Sequence, residues 1–378
     1  MAKYKNAVKE PKNLSPRVQW LRDYFFEGVE RAWNNEYNIF TNGREWDRCY
    51  DELTYHIVPE TVAFYQPFTT GFLAAGKIVP VADDFFEQSI VERKALYAKD
   101  LILNHIAQEI LPGDLLAGGR FNAMYSMCLD EPESKDREKR VFQARKELQY
   151  LISHGYGNCG ATSGHLIPDY AKILKSGFKS VYEELEEKYA SLSADDKKGQ
   201  KGAQLRAMMT ACEMPRELAD KYRIECLRLA EEESDEIRRQ ELLLMAENLA
   251  VVPWQGADNF YQAIQSLWLT HMLVMFDEKY PGPGVSFGRL DQYLYPYYQK
   301  SIEEGMTEDF MKEILGCFWV HCNTAYDAQM RLGGNQGITA GFGQLFNLSG
   351  MGKNGEDMSN DLTYLFLDVI DEMSPILE

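Results

Sequence analysis

Residues 281–298 read PGPGVSFGRLDQYLYPYY, a segment in which three prolines and three glycines run directly into four tyrosines and an Arg-Leu-Asp-Gln sequence. Proline fixes φ and glycine permits close backbone approach, so such a run is a shaped connection between elements. Upstream of it, residues 259–276 (NFYQAIQSLWLTHMLVMF) are apolar on nearly every face of a helix, which places that helix inside a core. The segment is therefore read as a rigid lead-out from a buried helix, with its tyrosines packed behind it.

Working outward, the same helical period recurs in 170–192 (YAKILKSGFKSVYEELEEKYASL) and in 223–250, and amphipathic segments also fill much of 15–111. Two stretches break the pattern. LLAGGRFN after Pro112-Gly113-Asp114 reads either as a buried strand or as a tight loop, and RLGGNQGITAGFGQLFNLSGMGKNG (331–355) reads as strand and loop in a packed centre. Between helices, HGYGNCGATSGHLIPDY (154–170) carries four glycines and few apolar groups, the composition of a loop on which functional residues concentrate. No repeat and no Pro/Ser linker divides the chain.

The chain has 378 residues, 45% hydrophobic and 12% aromatic, enough for a large core. Its 40 basic and 58 acidic side chains leave a formal charge of −18, which repels nucleic acid. No N-terminal apolar signal region and no window near ~18 apolar residues occurs, so no membrane span and a cytoplasmic location are expected. Seven scattered cysteines, without a CxxC pair, indicate neither a disulfide framework nor a zinc site.

Among candidate chemical groups, His165 sits on the glycine-rich loop, where an imidazole either meets a substrate oxygen or bonds to backbone. Arg120 in GGRFN has the planar fork that suits a carboxylate. Arg289 and Asp291 read as an ion pair or a backbone anchor. His105 and His271 lie on apolar helix faces and are expected in the core, as are Cys317 and Cys322, while Cys159 is the cysteine with the most open surroundings. GYGNCG spells GxGxxG, but it follows a charged helix, which does not suit a dinucleotide loop.

Taken together, GHLIPDYAKILKSGF, RRQELLLMAENLAVVP, NFYQAIQSLWL, GVSFGRLDQYLYPYY and GITAGFGQLFNLSGMGKNGEDMSNDLTYLFLD resemble, in matching order, the glycyl-radical enzymes of the pyruvate formate-lyase superfamily. The resemblance implies an α/β (α+β), helix-rich fold containing half of a ten-stranded barrel surrounded by helices. On this view residues 1–378 form an N-terminal domain, mainly helical over 1–111, with helices and the first half-barrel strands over 112–378. It implies a thiyl cysteine and a glycine radical in a C-terminal half whose Gly-Cys-Val-Glu-like and Arg-Val-x-Gly-like motifs do not occur here, so no catalytic residue is expected in this chain. That radical would be installed by a radical S-adenosylmethionine activating enzyme with an iron-sulfur cluster; no cofactor or metal is expected on the chain itself.

His165 matches the position that binds a substrate hydroxyl in dehydratase-like members, and Ser286 is the serine of the SFGR block. Gly284 stands where those members often carry another serine. His165, Arg120, Gly284 and Ser286 are thus the expected substrate-binding positions. The expected partners are the C-terminal half, the activating enzyme, a small organic acid or alcohol, and a second copy in a homodimer. Decarboxylation of an arylacetate leads over dehydration, other eliminations or formate acetyltransferase-like chemistry; a non-catalytic helical or pseudo-enzyme subunit is the alternative from another class.

Overall fold

The computed structural model describes residues 14–23, 82–105, 108, 110–118, 146–147, 150, 153–154, 166–277, 285–332 and 345–373. Within them, the longer helices follow from the 3.6-residue apolar period, and side chains cap the starts of several. They are α1 (16–23), α2 (Ile90–Asp100), α3 (Tyr170–Ala190), α4 (Ala194–Lys198), α5 (Gln200–Glu232), α6 (Glu236–Val251), α7 (Phe260–Asp277), α8 (Leu290–Glu303), α9 (Glu308–Leu332) and α10 (Asp361–Met373). Asp169 starts α3 by accepting from the Lys172 amide at 3.1 Å, and Asp235 starts α6 by accepting from Ile237 and Arg238 at 2.8 and 3.2 Å.

The long α5 packs along α6, α3 and α2. After α2 the chain widens into a π-helical turn at Leu101–His105, and Lys221 of α5 donates to the Leu103 carbonyl there. The apolar α7 lies against α3, α5, α6, α8 and α9, as its uniform hydrophobicity predicts. Its Phe260, Tyr261 and Trp268 are among the largest fully buried side chains, with Tyr170, Tyr222, Phe287 and Phe318. No helix among the described residues is long and apolar enough to cross a membrane.

α3 is kinked at Gly177 (φ 71°, ψ 172°), and the backbone of 253–257 is laced into the kink. The Phe178 and Lys179 amides donate to the Pro253 and Trp254 carbonyls at 3.0 and 2.9 Å, and Ala257 donates to Leu174 at 2.8 Å. Helix-breaking geometry is satisfied here by a second chain segment, which is why the amphipathic pattern reads through it without a break.

The expected α/β half-barrel is corrected by the structure. Among the described residues there is no strand; backbone pairing outside helices is limited to isolated bridges, Leu166 with Val285 and Arg289 with Asn347 in parallel, and Met351 with Asp357 antiparallel. Residues 333–344, part of the stretch expected as strand and loop, lie outside the described residues; at 114–118 the physical reason is visible. This run is extended and buried, but its backbone partners are side chains: the Gln265 carboxamide takes both the Ala117 N–H and its C=O at 2.8 Å, and the Tyr261 hydroxyl donates to Leu115 O at 2.5 Å. With those groups bound to α7, they are not available to a neighbouring strand.

Candidate functional site

Three segments that leave or approach buried helices converge beside α7. Leu166 O accepts from the Ser286 amide at 3.0 Å, Leu345 O accepts from the Phe287 amide at 3.0 Å, and Gly288 O accepts from the Asn347 amide at 2.7 Å. Leu166 directly follows His165 in sequence, and Val285 directly follows Gly284. The junction thus brings together the described flanks of two expected substrate-binding positions. His165, Gly284 and Arg120 themselves, and Cys159, lie outside the described residues.

Ser286 is described, and its hydroxyl is engaged by the junction. It donates to Leu345 O at 2.9 Å and accepts from the Gly288 amide at 3.0 Å, closing a tight turn in which Gly288 takes φ 68°. A Cβ at Gly288 would also lie 3.0 Å from Ile167 Cγ2, so the turn is pressed onto the residue after Leu166.

Arg289 and Asp291 resolve as a backbone anchor. The guanidinium donates to Ser349 O through Nε and Nη2 at 3.1 and 2.7 Å, while Asp291 Oδ2 accepts from the Ser349 amide at 2.6 Å and from Thr363 Oγ1 at 2.5 Å. One residue, held at φ 60°, is gripped at both its donor and its acceptor. The tyrosines that follow are structural: Tyr293 donates to Phe287 O at 3.0 Å, and Tyr298 donates to Glu308 Oε1 at 2.6 Å. Burial holds the Tyr293 and Tyr298 phenols above the usual range, so both remain donors near neutrality.

Below the junction the core is aromatic and imidazole-rich. His271, expected in the core, is fully buried and meets the Tyr170 hydroxyl through Nδ1 at 2.6 Å. His321, which sequence reasoning left without a role, places Nε2 2.8 Å from Asp114 Oδ2 and stacks near Trp268 at 5.0 Å. Asp114 also accepts from the Leu116 amide at 3.0 Å, and its carbonyl accepts from Arg238 at 2.8 Å. Arg17 adds a bond to Gly113 O at 3.1 Å and ion pairs to Glu241 and Glu313. Five side chains from four helices, Arg17, Arg238, Tyr261, Gln265 and His321, therefore fix residues 113–117.

Sequence separation hid these partners: Asp114 and His321 are 207 positions apart, and Ala117 and Gln265 are 148 apart. The run LLAGG was a signal for extended backbone, but nothing local in it names its partners. Cys317 and Cys322 are buried as expected, and burial pushes both thiols well above their ordinary range. Among the described residues no group of three or more His, Cys, Asp or Glu side chains is placed to hold a metal ion. Two surface grooves among the described residues, about 900 Å³ between α2, α5 and the end of α6 and about 540 Å³ between α8 and α10, are lined by residues other than those of the junction.

Residues 137–378 match the family described as pyruvate formate lyase-like. Isethionate sulfite-lyase of Desulfovibrio desulfuricans is 39% identical over 208 residues, which is 53% of this chain and 24% of that protein. Indoleacetate decarboxylase of Tractidigestivibacter scatoligenes is 35% identical over 153 residues, 40% of this chain and 17% of that protein. The crystal structure of hydroxyproline dehydratase from Clostridioides difficile, with trans-4-hydroxy-L-proline bound, superposes with a TM-score of 0.63 at 23% identity, covering 97% of this chain and 47% of that one. The chain matches only 24% and 17% of the length of these two curated relatives and about half of that solved structure. The resemblance carried by the separated sequence blocks is borne out over more than half of the residues: the chain belongs to the pyruvate formate lyase-like family.

Proposed function

We propose that this chain forms the substrate-binding part of a glycyl-radical lyase that eliminates a leaving group, sulfite or water, from a small hydroxylated acid or alcohol. The observation that carries the reading is the Leu166–Ser286 junction, which makes neighbours of the segments where the family resemblance places substrate contacts. Elimination is preferred to the decarboxylation expected from sequence because the sulfite-lyase matches over 208 residues and the indoleacetate decarboxylase over 153.

In this proposal Arg120 binds the anionic end of the substrate through its guanidinium fork, and His165 hydrogen-bonds the hydroxyl that marks the reacting carbon. The Ser286 turn and the Ser349 anchor hold the surrounding backbone, so that the substrate is oriented by preformed structure. Hydrogen abstraction is supplied by a glycine radical and a cysteine thiyl on a partner region. The motifs for both are absent from this sequence, so the role assigned to the chain is binding and orientation.

The test is anaerobic assembly of the chain with a radical-bearing C-terminal region and an activating enzyme, followed by incubation with isethionate, trans-4-hydroxy-L-proline and indoleacetate in parallel. Sulfite release or a dehydrated product is expected. Formation of an aryl methyl product from indoleacetate, with neither of the others turned over, would overturn the elimination reading.

A further inference from the structure

Under the junction lies a buried contact that the proposed function does not use. Tyr170, 1% exposed, is four residues beyond Leu166, and Phe287, fully buried, immediately follows Ser286. His271, on α7, belongs to neither segment and touches both. Its Nδ1 is 2.6 Å from the Tyr170 hydroxyl, and its ring lies on Phe287 with centroids 4.0 Å apart and planes 32° apart. The rings of Tyr170 and Phe287 are themselves 5.7 Å apart.

We infer that His271 is a positioning residue, which through its bond to Tyr170 and its stack on Phe287 sets the spacing between the 166 and 285–287 segments of the substrate site. The inference rests on the proposed reading of that junction as part of the site. An imidazole combines two properties that the position needs, a flat face for Phe287 and an in-plane nitrogen for the phenol. Buried polar atoms are costly unless paired, so the hydrogen bond fixes the rotation of the ring in its own plane, and the fixed ring presents its face to Phe287. Phenylalanine at 271 would keep the face and lose the direction. Phenylalanine at 170 would keep the packing and lose the same bond from the other side.

The experiment is amide hydrogen exchange, read residue by residue in the 378-residue chain and in Tyr170→Phe, His271→Phe and the double variant. The amides of Ser286 and Phe287 report directly, because each donates across the junction, to Leu166 and Leu345. Loss of the shared buried hydrogen bond is expected to raise their exchange roughly tenfold in either single variant, with a rise in the double well short of the product of the two, since both remove that one bond. Tyr298→Phe removes a phenol bond of similar length, to Glu308 at the start of α9, and is expected to leave those amides unchanged.

Unchanged exchange at Ser286 and Phe287, an increase shared equally by the amides of α5, additive effects in the double variant, or the same increase in Tyr298→Phe would each overturn the inference. Should one single variant not fold, the other reads the same bond alone. Because the readout is backbone exchange and not turnover, it is independent of which substrate class the proposed function proves to have.

Discussion

Replacing Gly177 by alanine should destabilise the protein by about 3 kcal/mol, and the structure separates the contributions. At φ 71° an L-residue is strained by roughly 1–2 kcal/mol. An added Cβ would stand 2.2 Å from Trp254 O and 2.5 Å from Gln255 C, both backbone atoms that cannot swing aside. Relief requires the 253–257 segment to retreat, weakening the Phe178–Pro253 and Lys179–Trp254 bonds at ~0.5–1.5 kcal/mol each. Alanine also restricts the unfolded chain, which returns ~0.4–1 kcal/mol. Gly305 is the matched control, since it takes φ 93° with nothing within 4 Å of its added Cβ, and Gly305→Ala should cost only the strain less the same return, about 1 kcal/mol. Urea unfolding followed by circular dichroism measures both. If Gly177→Ala is no more destabilising than Gly305→Ala, the interlacing of α3 with 253–257 does not constrain the fold and the reasoning fails.

Gln265→Leu should leave the Ala117 amide and carbonyl buried without partners and cost ~2–4 kcal/mol in urea, with increased exchange at Ala117; wild-type stability would show that α7 does not hold that segment. In the native chain at most three of the seven thiols should react quickly with a disulfide reagent, because Cys212, Cys226, Cys317 and Cys322 are buried, and all seven should react in urea; a fourth fast thiol would contradict the packing. Glu241 is held below the ordinary carboxylate range: burial opposes this, but the Arg17 hydrogen bond and charge, with Arg238, outweigh it. A depressed folded-state pKa gives stability that is full above the unfolded value near 4.5 and is lost as pH falls through the folded one. Thermal melts should therefore drop on acidification below about pH 4.5, and Glu241→Gln should flatten that part of the curve; an unchanged acid limb would remove Glu241 from the explanation.

What could be read from sequence was whatever repeats locally. The apolar circumference of 259–276 placed α7 in the core, and the tyrosines of 293–298 were correctly assigned to packing. The Arg289–Asp291 pair was legible as an anchor, but not its object, because Ser349 lies 58 and 60 residues away and carries no pattern of its own. The kink at Gly177 was invisible for the same reason. Its cause is a segment some 76 residues later, and α3 keeps its amphipathic period on both sides. The half-barrel was expected from the family resemblance, while LLAGG by itself left strand and tight loop open; whether that extended backbone joins a strand depends on Gln265 and Tyr261, which a reading of local composition cannot see.

These failures share a physical cause that also bears on function. An extended segment buried among helices must still bond every amide and carbonyl, and where no neighbouring strand supplies the partners, side chains on the helices must. Gln265 does so for the buried Ala117, and Arg289 with Asp291 grips the half-buried turn at Ser349 in the same way. Each of these grips involves few atoms on the helix side, whereas a sheet distributes the task over many backbone bonds. The position of the proposed substrate-binding segments should consequently depend on single side chains of α7 and α8 that themselves need never touch substrate. Variants at Gln265, Arg289, Asp291 or His271 are expected to disturb the segments they hold more than surface substitutions nearer to them in sequence, because the first three each take a partner from a backbone group and His271 takes one from the Tyr170 hydroxyl.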